Sequence, residues 1–581
     1  MTQTPELARG GGAAAGGGER EASLPPDRRV FSLDAVRGLA ILMMCLSGVV
    51  PRYLPNWMYH GYYPQYLPDD AGSWARVDNP WAFWSGSAFT WVDWVFPMFL
   101  FAMGAAFPFA MRRRLERGAG RGSLAVRAVG RGVILIGFAV YVQQITPRFI
   151  AGGESPGWGD HLIALLGFAV LFPVLLRWPR AWPRGRVRLV KGLGLAAAVG
   201  LLAWIHLRAD LAFSWNHKDI IILLLAWMAI AGSLLWLITP GRLWPLRLAV
   251  GLGVAFVAHH QGMKGEWRLF GDAFEPWMAY LNGWPRAALD LTWLVDHPIA
   301  QLQHLCDFTW FKFLWIVIPG TIVGDRLLAF MDADGPSDNA KGAEGGHRSQ
   351  AWRPGVMAAV ALLHLAAIGV VLWAFSVRMD VRYALFGGGE ITTAWLQALA
   401  AAALVLTAVA LSLGAGSPRG RLVRDLTIWA AVWLALGLAV EPWEGGIKKG
   451  PPSTLSWYLL STALSVSLLA AFVVVIDAWR VGRFMLGWLV LNGQNPMVAY
   501  VGIRNLLAPV VSLPLLAPVN DAGDAIQHDS LDGVMTHDVL GETDAEGRAI
   551  PWLVFLWSLG KTLGLAAAVS VFTRLKLVLR S

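Results

Sequence analysis

The sequence predicts an all-α, polytopic integral membrane protein with about 12–14 transmembrane helices. Of its 581 residues, 56% are hydrophobic and only 15% are charged, which is too little charge to hydrate the surface of a soluble protein. The apolar residues form long blocks, and many blocks reach the roughly 20 residues that a helix needs to cross a bilayer. Because the bilayer core offers no water, the backbone groups must bond within each segment, and this favours helices over open sheets.

The distribution of charge predicts how the helices are oriented. Arginines concentrate at 112–131, 177–191 and 419–424, each time between apolar blocks. Loops of this kind are typical of the cytoplasmic side. With fourteen spans all three clusters fall on one side, and both termini are then cytoplasmic. The net charge of +9 is explained by these loops, and without any nucleic-acid-binding motif it does not indicate nucleic acid as a partner.

Composition also divides the chain into regions. The two cysteines show neither a disulfide framework nor the spacing of a metal site, so we expect no metal. The predicted regions are a disordered cytoplasmic tail (1–29), an N-terminal transmembrane region (30–330) with an extracytoplasmic loop (52–89), a cytoplasmic linker (331–353), and a C-terminal transmembrane region (354–581) with an acidic extracytoplasmic loop (512–550).

The first stretch that suggests chemistry is SLDAVRG at 32–38, which opens the first span at the cytoplasmic face. Asp34 lies in the first helical turn, where the helix dipole favours an anion. Arg37 follows three residues later and can pair with it on one helix face. A structural ion pair is the simpler interpretation of this stretch alone. The functional interpretation is that Arg37 helps to hold a phosphate-bearing donor from the cytoplasm.

Two further candidates lie at the outer side. His60 follows the first span, and histidine is the side chain best suited to exchange a proton near neutral pH. Asp93 opens the sequence DWVFP at 93–97, near the outer end of an apolar span. A carboxylate there is costly unless it is paired or faces a wet cavity, which makes it a site candidate. Taken singly, a polar loop histidine and an interfacial helix-start carboxylate explain both residues.

Together, these motifs resemble the heparan-α-glucosaminide N-acetyltransferase family, and more closely its bacterial relatives. The resemblance extends from about residue 30 to beyond residue 500, through weaker blocks at 318–325, 447–453 and 492–496. It implies a polytopic acyltransferase, here in a bacterial inner membrane, that moves an acetyl group from cytoplasmic acetyl-CoA to an extracytoplasmic sugar or glycan. His60 occupies the place of the family's catalytic histidine, and Asp93 matches the aspartate of its second motif.

The roles expected from this resemblance follow residue by residue. His60 would act as general base toward the acceptor or as an acetyl carrier, with Asp93 supporting it, and Asp34 with Arg37 would bind acetyl-CoA. The predicted substrate-binding residues are Lys448, Lys449 and Asn495.

The chain also departs from the family pattern. It has Ser47 and Gly48 where the family has an asparagine, and 32 residues separate His60 from Asp93. The acceptor would dock at this enlarged loop.

Two other classes of protein remain open from the sequence. A multi-pass transporter or flippase for a glycan or lipid-linked precursor fits the many spans, the mid-span Lys561 and the helices interrupted by Pro and Gly. A scaffold without activity, organising envelope synthesis, is the third interpretation. Homo-oligomerisation is likewise left open, whereas the lipid bilayer is a partner under every interpretation.

Overall fold

The computed structural model describes most of the helical chain. The described residues are 30–51, 54–61, 66–68, 74–76, 88–153, 155–179, 181–208, 213–262, 305–333, 354–376, 382–384, 390–444, 446–450, 453–479, 485–512, 531–533, 535 and 551–579. The predicted tail (1–29), nearly all of the predicted linker (331–353) and most of the two predicted outer loops (52–89 and 512–550) lie outside them.

Almost all of the described chain is helical. The α-helices are Phe31–Ser47 (α1), Trp91–Glu116 (α2), Arg121–Gln144 (α3), Pro147–Ile150 (α4), Trp158–Leu175 (α5), Arg184–Arg208 (α6), Ile220–Ile238 (α7), Trp244–Gly262 (α8), Leu314–Ala333 (α9), Pro354–Ala374 (α10), Thr393–Ser412 (α11), Pro418–Glu444 (α12), Leu455–Phe472 (α13), Gly487–Gln494 (α14), Pro496–Gly502 (α15), Ala508–Val511 (α16), Leu531–Gly533 (α17) and Pro551–Arg574 (α18). Short 3-10 helices at Asn56–Met58, Gly241–Leu243 and Phe308–Phe313, and π-helical segments at Val473–Ala478 and Ile503–Leu507, complete the helical part.

The described strands form two small antiparallel hairpins. Tyr66–Pro68 (β1) pairs with Trp74–Arg76 (β2), and Arg382–Ala384 (β3) pairs with Glu390–Thr392 (β4). Each strand has three residues, so neither hairpin contributes a layer to the fold.

The prediction of an all-α polytopic membrane protein is confirmed. In the described part of the chain, 12 helices are long and apolar enough to cross a membrane. These include the span at 243–259, which is α8. The predicted spans at 33–51 and 484–511 are shorter in the structure: α1 has 17 residues, and the second is divided into α14, α15 and α16.

Long-range contacts show which helix ends lie together. Arg112, near the end of α2, forms a salt bridge of 2.7 Å with Asp332 near the end of α9. Leu176 after α5 pairs with Leu579 after α18, and Asp477 after α13 bonds to the start of α1. This end of the bundle carries the arginine clusters, and we call it the arginine end. The opposite end, where α1 finishes and α2 begins, is called the His60 end. From the positive charge of its loops, we expect the arginine end to face the cytoplasm.

The start of α1 packs closely against α14, which lies more than 400 residues later in the sequence. A Cβ atom on Gly38 would lie 1.9 Å from the Leu489 carbonyl oxygen, and one on Gly493 would lie 1.8 Å from the Asp34 carbonyl oxygen. Only glycine allows two helix backbones to approach this closely, as is common between membrane helices. The Asp477 carboxylate then accepts the Phe31 and Ser32 N–H groups, each at 3.2 Å, so it caps the start of α1.

The core of the bundle is built around α13. In the span Leu455–Ala478, 89% of the most apolar 18-residue window is buried, against 17% for α6. The inner helix α13 packs against α2, α9, α10 and α12, whereas α6 lies at the periphery. One interior contact joins α2 to α13 directly, because the Trp94 indole donates to the Ser465 hydroxyl at 3.1 Å. The core therefore fixes α2 relative to the C-terminal helices.

The contact between α1 and α14 predicts a matched pair of substitutions. Gly493→Ala must push the α1 backbone away, and we expect a loss of about 1–3 kcal/mol of stability, in the range of overpacked cores. Gly487→Ala on the same helix is the control, because a Cβ there meets no atom within 4 Å. Thermal unfolding of the detergent-purified variants measures both. Equal unfolding temperatures for the two variants would contradict the close approach.

Candidate functional site

The His60 end contains a fully buried carboxylate at the start of α2. Asp93 lies three residues after Thr90, which precedes the helix, and its side chain is 0% exposed. Its Oδ2 atom accepts the Gly61 N–H at 2.9 Å and the Thr90 N–H at 3.1 Å. These donors and the positive end of the helix dipole stabilise the charge. The Oδ1 atom is left for another partner.

That partner is His60. Its Nδ1 atom lies 2.8 Å from Asp93 Oδ1, and because a carboxylate only accepts hydrogen bonds, Nδ1 carries the proton and donates. The Nε2 atom then keeps its lone pair, as a general base requires. The His60 side chain is 40% exposed, so a substrate can reach it although its aspartate is buried.

The loop at 54–61 is tied to α2 so that this geometry is maintained. The Thr90 hydroxyl donates to the Tyr59 carbonyl at 2.6 Å, and the Tyr59 hydroxyl accepts the Leu54 N–H at 2.9 Å. Gly61 passes so close to residue 88 that a Cβ atom would lie 2.4 Å from the Ala88 carbonyl oxygen. A glycine is therefore required directly after the histidine.

A lysine from the C-terminal half completes the cluster. Lys449 Nζ lies 3.2 Å from His60 Nδ1 and 3.5 Å from His60 Nε2. The ring nitrogens Nδ1 and Nε2 are both bonded to the carbon Cε1. An atom that lay in the ring plane at 3.2 Å from one nitrogen and 3.5 Å from the other would therefore overlap with Cε1. The ammonium therefore lies over the face of the imidazole. This position leaves the in-plane lone pair of Nε2 free.

The loop that carries Lys449 is closed by hydrogen bonds. The Glu444 carboxylate at the end of α12 accepts the Leu455 and Ser456 N–H groups at 2.6 and 2.8 Å, which caps the start of α13. Within the loop, the Thr454 N–H donates to the Lys448 carbonyl at 2.9 Å. Because both ends are fixed in this way, the lysine is held against His60 by the fold.

Contact with Ala88, just before α2, also aligns this loop with the histidine. The Ala88 N–H donates to the Ile447 carbonyl at 2.9 Å, and Ala88 forms a parallel bridge with Lys448. Ala88 thus belongs to the segment that leads into α2 and also pairs with the loop that carries Lys449. Burial lowers the pKa of Lys449, and the negative charge of Asp93 opposes that shift.

A second feature lies toward the arginine end. A cavity of about 240 Å³ opens between α2, α3 and α7, with apolar walls that include Phe99, Met103 and Phe107. Four arginines line it: Arg37, Arg114, Arg127 and Arg131. We call this cavity the arginine cleft. Apolar walls with several guanidinium groups suit a ligand that has an apolar arm and phosphate groups.

Arg37 is held in the wall of the cleft by three contacts. It bonds to Asp34 Oδ1 and to the Gly493 carbonyl, each at 3.3 Å, and to the Ala102 carbonyl at 3.5 Å. The predicted pair of Asp34 and Arg37 therefore forms, and it joins α1, α2 and α14 at one point. Arg37 thus has a structural function here, and it also borders the cleft.

Helix α2 connects the two features. Asp93 lies six residues before Phe99, which is about 9 Å at the helical rise, and the lining residues from Phe99 to Arg114 span about 22 Å. The inner end of the arginine cleft therefore lies about two helical turns from the aspartate. One helix positions both the His60 cluster and the cleft.

The structure brings some of the predicted site residues together and separates others. His60, Asp93 and Lys449 form one cluster, and Lys448 contributes its backbone to the loop beside them. Asn495 lies elsewhere: its side chain bonds to the Leu577 carbonyl at 2.9 Å and to the Leu579 N–H at 3.2 Å, at the arginine end. In that place it fixes the segment after α18.

Sequence reasoning missed several residues that shape the two features. The charge pattern assigns Arg127 and Arg131 only to a cytoplasmic loop region, although their spacing of four residues places them on one face of α3. Glu444 and Gly61 carry no signal, because their functions depend on distant backbone atoms. Among the described residues, no group of three or more His, Cys, Asp or Glu side chains could hold a metal ion.

A family profile matches the N-terminal part of the chain. Residues 29–262 match the profile of a domain of unknown function, DUF5009. The matched region extends from α1 to α8, so it contains His60, Asp93 and the four arginines of the cleft, whereas Lys449 lies beyond it. No curated protein matches the chain.

The environment of Lys449 predicts its titration. Because burial lowers the pKa of this lysine, we expect it to lose its proton at a lower pH than the same residue in a synthetic peptide of residues 446–450. Asp93→Asn should lower the pKa further, since an opposing negative charge is removed. The pH dependence of acetic anhydride labelling, read by mass spectrometry, measures both. A midpoint equal to that of the peptide would contradict the buried contact.

Proposed function

We propose that this protein is a membrane acyltransferase, which transfers an acetyl group from cytoplasmic acetyl-CoA to a sugar or glycan at the opposite face. The observation that carries the proposal is the hydrogen bond of 2.8 Å between His60 and a fully buried Asp93, at an accessible position on the helix that also lines the arginine cleft. The resemblance of the opening motifs to heparan-α-glucosaminide N-acetyltransferases supports it.

The cluster fits general base catalysis. Asp93 holds His60 in the tautomer that leaves Nε2 unprotonated, and it stabilises the imidazolium that forms when Nε2 takes a proton, as the aspartate does in a Ser-His-Asp triad. The proton comes from a hydroxyl or amine of the acceptor. The acceptor atom then bonds to the thioester carbonyl carbon, the C–S bond breaks, and His60 returns the proton to the leaving sulfur.

Acetyl transfer through the imidazole itself is the second route. In this variant Nε2 attacks the thioester and carries the acetyl group to the acceptor. The free lone pair of Nε2 serves both routes equally. Product formation from a pre-acetylated enzyme, after removal of free acetyl-CoA, would distinguish the carrier route from direct transfer.

The arginine cleft fits the donor. Guanidinium groups bind phosphate oxygens with paired hydrogen bonds, and the apolar wall formed by α2 and α7 would contact the arm that ends in the thioester. The cleft belongs to the end that the arginine clusters assign to the cytoplasm, where acetyl-CoA is made. His60 and Lys449 lie at the other end, where an extracytoplasmic acceptor would arrive.

A transporter or flippase is the competing function, and one observation favours it. The segment 485–512 is interrupted at Asn495 and again by the π-helical segment Ile503–Leu507, and broken helices are common at transporter binding sites. Glycan or lipid-precursor flux into liposomes without acetyl-CoA would support transport. Binding of acetyl-CoA, compared with desulfo-CoA and ligand-free controls, would support the acyltransferase.

Substitution of the dyad tests the proposed chemistry. His60→Ala should reduce acetyl-CoA consumption with an accepted glycan by about 10²–10⁴-fold, the range of general base catalysis, and Asp93→Asn should reduce it through the wrong tautomer. His217→Ala, an exposed histidine at the same end, is the control. Unchanged turnover in the His60 variant would remove this residue from catalysis.

Substitution in the cleft tests the donor site. Replacing both Arg127 and Arg131 by Gln removes two charged donors to phosphate, and we expect the KM for acetyl-CoA to rise about tenfold or more. Arg121→Gln, an exposed position at the start of α3 that does not line the cleft, should leave KM unchanged. Steady-state kinetics at varied acetyl-CoA measures the difference. An unchanged KM in the double variant would move the donor site elsewhere.

A further inference from the structure

We propose that the acceptor presents a hydroxyl, and not an amine, to His60, because the Lys449 ammonium excludes a second cation from this position. This inference rests on the proposed acyl transfer and narrows its substrate class to O-acylation of neutral or acidic glycans. It makes Lys449 the residue that determines acceptor specificity.

The first step concerns distance. An acceptor atom that gives its proton to His60 must lie within hydrogen-bonding range of Nε2 and close to the ring plane. Lys449 Nζ is 3.5 Å from the same nitrogen but over the ring face. The direction from Nε2 to the acceptor atom is nearly perpendicular to the direction from Nε2 to Lys449 Nζ. The acceptor atom and the ammonium are therefore separated by about 4.5 Å.

The second step concerns charge. An amino sugar carries an ammonium group near neutral pH and must lose that proton before it can attack. Bringing it beside Lys449 places two positive charges close together in a partly desolvated site, where Coulomb repulsion is stronger than in water. A hydroxyl is uncharged and meets no such barrier. An acidic sugar is attracted by the same ammonium.

The third step concerns the charge of the lysine itself. Asp93 is fully buried and negative, and it lies on the other side of the same imidazole. With His60 neutral, the charges of Asp93 and Lys449 balance within the cluster, which favours the charged form of both residues. Burial lowers the pKa of Lys449, and the charge of the same carboxylate that orients the base opposes that shift and so favours the ammonium.

Two matched oligosaccharides test whether the site selects a hydroxyl over an amine. Cello-oligosaccharides and chitosan oligosaccharides share a backbone and differ at carbon 2, which bears a hydroxyl or an amine. With acetyl-CoA at neutral pH, we expect the wild type to form alkali-labile O-acetyl product from the first at least tenfold faster than N-acetyl product from the second. Lys449→Gln should reduce this ratio, and Lys449→Arg should keep it.

The control for net charge is Lys218→Gln, which changes a lysine between α6 and α7 at the same end and should leave the ratio unchanged. Faster N-acetylation than O-acetylation by the wild type would overturn the inference, and so would a ratio that Lys449→Gln does not alter. In either result the acyl transfer itself would still stand.

A second measurement does not depend on turnover. Diethyl pyrocarbonate modifies accessible neutral imidazoles, and mass spectrometry reports its reaction at His60. We expect glucuronate to slow this modification more than glucosamine does in the wild type, and the difference to disappear in Lys449→Gln. If neither oligosaccharide is acetylated, the proposed function loses its support, and equal protection by the two sugars in this assay overturns the charge selection separately.

Discussion

The His60 end is organised by the need to accommodate one buried negative charge. Asp93 stands at the beginning of a membrane-spanning helix, where an unpaired carboxylate would be expensive. The N–H groups of Gly61 and Thr90 donate to one of its oxygens, and His60 donates to the other. The close passage of Gly61 beside Ala88 and the bond from Thr90 to Tyr59 follow from this requirement. The position of the imidazole is therefore a consequence of satisfying the carboxylate.

The segment that leads into α2 beside this carboxylate also joins the two halves of the chain. Residue 88, just before α2, pairs with the loop between α12 and α13, and that loop is fixed by the Glu444 cap. At the opposite end, Arg37 reaches the Gly493 carbonyl, and α1 packs against α14 through glycines. Contacts between early and late segments thus occur at both ends of the bundle, with α13 buried between them. The two transmembrane regions distinguished in the sequence are joined in one packed bundle.

Much of the fold could be predicted from the sequence because membrane insertion depends on local hydropathy. The twelve long apolar helices of the described residues are recognisable without any knowledge of tertiary contacts. His60 and Asp93 can also be identified, since the motifs around them are local in sequence, but the motifs do not predict the contact between the two side chains. Asn495 and Pro496 suggest that the span at 484–511 is broken, whereas the π-helical segments depend on packing and could not be predicted.

The remaining parts of the site depend on contacts that local patterns do not encode. Lys449 meets His60 across 389 residues of chain, and no periodicity relates the two positions. A motif predicts that Asn495 binds substrate, yet its amide is engaged by the segment after α18. Arg127 and Arg131 are visible as a pair with helical spacing. What the sequence could not provide is the apolar cavity that they border.

The cap on the first helix has a consequence for biosynthesis. Helix α1 is translated more than 400 residues before the carboxylate that receives its leading N–H groups and before the glycine against which it packs. During most of synthesis α1 must therefore remain in the bilayer with its leading donors unsatisfied by protein. A fragment ending near residue 262 would contain the histidine–aspartate pair and most of the residues that line the cleft, but not Lys449. Such a fragment would be an incomplete site in an incompletely packed bundle.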